Sequence, residues 1–97
     1  MHAVVRTYSG AKAKQLLDLF HERKSEVESV LKKVPGLVSY TMARTADGGI
    51  SVTVCKDKKG CDESLKVARE WIGANAASIG ASAPNVSEGD VIVQISG

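Results

Sequence analysis

The chain has 97 residues, enough for one domain over 1–97 that hides only about 60–65% of its unfolded surface and so has a thin core. Its 13 basic and 11 acidic side chains leave a net charge of +2, too slight for a nucleic-acid footprint, and no Arg/Lys stripe with interleaved aromatics supplies one locally. No apolar run approaches the roughly 20 residues that a bilayer requires, and no charged leader precedes an apolar stretch, so a cytoplasmic protein that binds neither membrane nor nucleic acid is expected.

His2 to Ser9 reads as a strand, with Ala3, Val4 and Val5 supplying its apolar character. Alternation puts Arg6 and Tyr8 on the same face as Val4. From Ala11 to Val34 the apolar residues Ala13, Leu16, Leu17, Phe20, Val27, Leu31 and Val34 recur at helical spacing and predict one amphipathic helix. Pro35-Gly36 ends it. Lys24 interrupts the stripe. At 100° per residue from Phe20 it falls at about 40°, in the middle of the apolar face, with Arg23 at about −60° and His21 at about 100° on its borders. Either its stem covers the core while the ammonium reaches water, or it is a cation in a pocket.

Two extended runs follow: Leu37, Val38, Tyr40 and Met42, then Ile50, Val52, Val54 and Cys55, separated by Asp47-Gly48-Gly49. Asp-Gly between such runs signals a hairpin, because glycine takes positive φ cheaply. A loop centred on Asp47-Gly48 pairs Thr45 with Ile50, Ala43 with Val52 and Thr41 with Val54. Val38, Tyr40, Met42 and Arg44 then share the opposite face with Ser51, Thr53 and Cys55. Both faces carry apolar groups, so helices cover one and a second copy of the chain is expected on the other.

Lys56 to Gly60 is a charged connector, and Asp62 is the expected cap of a second helix running to about Ser78. Leu65, Ala68, Trp71, Ile72, Asn75 and Ile79 form its inner stripe. Trp71 supplies apolar area to a core or interface. Asn75, near the stripe's centre, either bonds to local backbone or points into a wet pocket. Gly80 to Glu88 reads as a loop, and Asp90 to Ser96 as the last strand, with Val91, Val93 and Ile95 alternating with Ile92 and Gln94. Cys55 and Cys61 match no zinc spacing and are read as reduced thiols, Cys55 as a small apolar group. Without a secretory leader the Asn85-Val86-Ser87 sequon carries no weight.

The order strand-helix-strand-strand-helix-strand is the ferredoxin-like βαββαβ arrangement, an α+β fold with both helices on one face of a four-stranded antiparallel sheet. The bare face is expected to close by homodimerisation. In this the chain resembles the dimeric α+β barrel superfamily, and within it the antibiotic-biosynthesis-monooxygenase group. The resemblance rests on Val34-Pro35-Gly36-Leu37-Val38, on the hairpin up to Ser51-Val52-Thr53-Val54-Cys55, and on Asp62-Glu63-Ser64 leading to Ala68-Arg69-Glu70-Trp71-Ile72.

What the resemblance implies is a homodimer with a cavity between helices and sheet that holds a small, often aromatic molecule. Activities in the group range from cofactor-independent oxygenation of polycyclic aromatics to haem degradation, and fold alone cannot choose among them. Its haem-degrading members place an Asn on the first strand and a Trp and a His around the second helix. Here the first strand offers Arg6 and Thr7, no His follows His21, and Trp71 is displaced by a helical turn. No cofactor or metal is therefore expected.

Two functions stay open at this level. In one, the cavity binds a small organic molecule and oxidises it without metal or flavin: Asn75 and Trp71 orient the substrate, Lys24 contributes a cation, and Arg6, Tyr8 or Tyr40 bonds a phenolate or enolate as charge develops. In the other, the protein is a non-catalytic dimeric binding or stress-associated module. The sequence shows no nucleophile–base pair, metal cluster or phosphate loop that would force the first.

Overall fold

The computed structural model describes residues 1–96. Strand β1 (His2–Tyr8) leads into helices α1 (Ala13–Glu22) and α2 (Lys24–Lys32); the hairpin β2 (Leu37–Thr45) and β3 (Gly48–Cys55) follows, then helix α3 (Lys58–Asn75), a short 3₁₀ turn and β4 (Asn85–Asp90). All neighbours in the four-stranded sheet are antiparallel, in the order β2-β3-β1-β4. This is the expected ferredoxin-like fold, with its two central strands β1 and β3 each followed by helix.

The expected single helix from Ala11 to Val34 is divided at Arg23, whose φ of −112° and ψ of 31° leave the helical region. The cause is legible in the packing. Ala13, Leu16, Leu17 and Phe20 bury one face of α1 and Leu31 anchors α2, while every residue from His21 to Glu26 is polar. Nothing apolar holds the helix straight across that gap. With the phase broken, Lys24 opens α2 and is exposed rather than central to the buried stripe.

The hairpin pairs Thr45 with Gly48, Ala43 with Ile50 and Thr41 with Val52. It is tighter by two residues than expected, which leaves the side chains from Ser39 onward on their expected faces, but a bulge between Leu37 and Ser39 puts Leu37, not Val38, beside Cys55 and leaves Val38 exposed. Gly48 joins the strand because it must be glycine: its φ is +157°, and a Cβ there would lie 2.3 Å from the Tyr8 carbonyl oxygen. Helix α3 begins four residues before the expected Asp62 cap, because the Asp57 carboxylate accepts from the Gly60 N–H at 3.0 Å. Asp62 instead lies on the exposed side, paired with Lys58 at 3.0 Å.

The last strand is also displaced. Asn85–Asp90, expected as loop, forms β4. The ladder pairs Asp90 with His2, so β1 ends where Val91 begins. Past Asp90 the Val91 N–H donates to the Met1 carbonyl at 3.0 Å. Ile92, Val93 and Ile95 stand 95%, 73% and 84% exposed.

Register settles the two faces. Tyr8, Arg6, Val4 and His2 lie beside Gly49, Ser51, Thr53 and Cys55, and this face packs under the helices. The other carries Ala3, Val5, Ile50 and Val52, each half-buried, with Val54. The core is in two clusters, one around Tyr8, Leu16 and Phe20 and the other around Val4, Leu31, Cys55 and Cys61, with Val27 touching both. Both thiols are buried and free, and burial pushes that of Cys55 up to about 11.

Candidate functional site

A cavity lies where the two clusters meet. Its floor is Arg6, Tyr8, Tyr40 and Met42 of the sheet; its roof is Phe20 from α1, Val27, Val30 and Leu31 from α2, and Trp71 and Ile72 from α3. The space inside it is about 20 Å³. That is room for about one or two waters. The lining is almost wholly apolar, so the polar groups on the floor define its chemistry.

Arg6 is 4% exposed. Its Nε donates to Ser51 Oγ at 3.1 Å and its Nη2 donates to the Tyr40 hydroxyl at 3.3 Å. These bonds lean the guanidinium across β3 toward β2, and its carbon stands 5.9 Å from the centre of the Tyr8 ring. Among the described residues no carboxylate pairs with it. Beside it, the Tyr8 ring is 1% exposed and its hydroxyl is the one buried side-chain polar atom, among the described residues, that lacks a hydrogen-bond partner. Burial raises the pKa of both Tyr8 and Tyr40, against the opposing pull of the Arg6 charge. Both hydroxyls therefore keep their protons at neutral pH and can donate.

An aromatic run carries the roof. Tyr8 meets Phe20 edge-on at 5.8 Å, and Phe20 meets Trp71 at 5.6 Å. Arg23, at the helix break, sits 5.3 Å over the Trp71 ring and also bonds Glu26 through Nη2 at 2.7 Å.

Of the residues singled out in the sequence, Arg6, Tyr8, Tyr40 and Trp71 converge on this cavity. Lys24 does not. It borders a separate shallow groove with His21, Met42 and Arg44, because the break at Arg23 turns it outward. Asn75 does not line the cavity either: its Nδ2 donates to the Trp71 carbonyl at 2.9 Å, one turn back along α3. Ser51 and Phe20 join the site unannounced. Ser51 was visible as the short polar residue on Tyr40's face of the hairpin, but only the register places it opposite Arg6.

Element order and topology together define the class: the chain has a ferredoxin-like α+β fold, a four-stranded antiparallel sheet covered by helices on one face, and solved structures with antibiotic-biosynthesis-monooxygenase-like names share that fold. It is similar to the haem degrader MhuD from Mycobacterium tuberculosis, solved with two haems in its active site (15% identity over 99% of this chain and 100% of that one, TM-score 0.69). It is similar also to the ActVA-Orf6 monooxygenase of Streptomyces coelicolor in complex with nanaomycin D (17% identity, 99% and 90% covered, TM-score 0.66). A third match is a dimeric ferredoxin-like protein from an uncultured marine organism (12% identity, 97% and 94% covered, TM-score 0.66). No protein-family model and no curated protein matches the sequence.

The residues present do not fit haem. The cavity lining contains no imidazole and no thiol, and its two tyrosines are held protonated by burial. No helix among the described residues is long and apolar enough to cross a membrane.

Proposed function

We propose that the protein is a homodimer of single-domain protomers whose helix–sheet cavity binds a small aromatic molecule, and that it oxygenates this molecule without metal or flavin. The observation that carries the reading is the buried donor set of Arg6, Tyr8 and Tyr40 at one wall of an otherwise apolar, aromatic-roofed cavity. An electron-rich phenol that enters as its phenolate, its proton left in the solvent, is held there by the guanidinium, and the charge that spreads into its ring is stabilised by the three donors. Dioxygen then accepts four electrons from the substrate in all: one oxygen atom becomes a quinone carbonyl on a ring carbon, and the other leaves as water with that carbon's hydrogen and the phenolic proton, returned from solvent. The substrate supplies its own reducing power, so the balance needs no further reagent. Trp71 and Phe20 hold the ring plane.

Dimerisation through the bare sheet face is supported by Ala3, Val5, Ile50 and Val52 lying together there and by the exposed apolar residues Ile92, Val93 and Ile95 that follow β4. A cytoplasmic location fits the two buried free thiols. The second reading, binding without turnover, is favoured by the absence of any carboxylate, imidazole or amine among the lining residues that could take the substrate's proton. Oxygen uptake with aerated aromatic quinols under metal chelation separates the two. Uptake that survives the chelator supports oxygenation, and binding without uptake across the panel supports the second. In the same preparation light scattering should give twice the chain mass at micromolar concentration; a strict monomer would remove the dimer from the account.

A further inference from the structure

We propose that the ligand of this cavity is an acid, and that its carboxylate is anchored by Arg6 with the Tyr8 and Tyr40 hydroxyls. The inference rests on the cavity reading above and changes which oxygens meet the three donors: a carboxylate takes the place given there to the phenolate, on an aromatic body that lies beneath the roof. Arg6 uses two of its five N–H donors, on Ser51 and Tyr40. It is buried beneath the helices with no carboxylate partner among the described residues. A buried guanidinium without a counter-ion is costly, and an apolar side chain would fill the same place in a core. Tyr8, two residues along the same face of β1, adds a hydroxyl whose hydrogen bond is unmade. Tyr40 accepts from Arg6 and so keeps its own proton free to donate.

Three donors, one of them charged, thus face a cavity whose lining offers no negative acceptor. A carboxylate supplies what is missing: it neutralises the guanidinium through the planar fork that arginine presents, and it accepts from both hydroxyls. The acid group takes the space that holds about one or two waters, and the aromatic body enters beneath the roof. That roof is built from separate pieces, Phe20 on α1, Val27 and Leu31 on α2 and Trp71 on α3, joined across the Arg23 break. It can part there without unwinding a helix.

Calorimetric titration of the intact protein with 2-naphthoate and with the neutral isostere 2-naphthamide tests this without any variant. The proposal predicts that the acid binds at least about tenfold more tightly, the equivalent of one charge-assisted hydrogen bond. In Arg6→Met this preference should vanish while the melting temperature holds or rises, and in Lys24→Ala it should persist. Equal binding of acid and amide would overturn the anchor and leave the cavity reading standing. Binding of neither would overturn both. A preference that survives in Arg6→Met, or that is lost in Lys24→Ala, would move the anion to the outer groove of His21, Lys24 and Arg44 and refute the assignment.

Discussion

Replacing Tyr8 with Phe removes a single oxygen atom from the floor of the cavity. The ring is 1% exposed and meets Phe20 edge-on at 5.8 Å, so the substitution keeps its shape and its aromatic contact. What it deletes is a buried hydroxyl with no hydrogen-bond partner. Burying such a group unpaired costs about 1–3 kcal/mol, and the slight void left by the oxygen offsets part of that recovery. The net expectation is a gain of about 1 kcal/mol, or roughly 4–8 °C in melting temperature for a domain of this size. Urea titration should show a higher midpoint with an unchanged slope, since the surface exposed on unfolding is the same. The same variant should bind 2-naphthoate about 2–10-fold more weakly, the equivalent of one ordinary hydrogen bond. A loss of 1 kcal/mol or more in stability would refute the reasoning, because it would mean that the hydroxyl is already satisfied and is not held ready for a ligand.

Gly48→Ala should destabilise the fold by about 2–4 kcal/mol, since a Cβ at φ +157° would lie 2.3 Å from the Tyr8 carbonyl and 2.7 Å from the Ala13 Cβ; a urea midpoint equal to that of the parent would contradict the hairpin register. The seam between β1 and β4 should be pH-sensitive. The hydrogen bond that the His2 ring donates to the Glu88 carboxylate, with help from one to Asp90, raises the His2 pKa above its ordinary 6.5. Its contribution is therefore complete below that value and is lost as pH rises through the folded one. Glu88, lowered from 4.5 chiefly by His2, adds stability that is lost as pH falls through its folded pKa. Thermal melts across pH should show the alkaline decline in the parent and not in His2→Gln; parallel curves would remove the His2–Glu88 pair from the account.

The strand faces were legible because alternation depends only on parity. Arg6 and Tyr8 fell beside Val4 as read, and the hairpin's two-residue error left Tyr40 and Met42 on the face of Ser51 and Thr53. Ends and breaks were not legible. Arg23 breaks its helix with no glycine or proline to announce it, only a run of polar residues, and Lys24 was misplaced with everything counted across that point. The alternation of Val91 to Ile95 reads as the C-terminal strand, yet the ladder uses the polar stretch before it, Asn85 to Asp90 against His2 to Thr7. For the site, residue chemistry named four of the groups that converge. It missed Ser51, whose part depends on register, and it could not tell that Asn75 would satisfy itself on its own helix.

The cavity as a ligand site is tested most directly by intermolecular nuclear Overhauser contacts between the ring protons of 2-naphthoate and the protein. The account predicts contacts to Phe20, Met42 and the indole of Trp71, all of which line the space above Arg6. Contacts confined to Leu17, His21 and Lys24 in the outer groove, with none to Trp71, would contradict it.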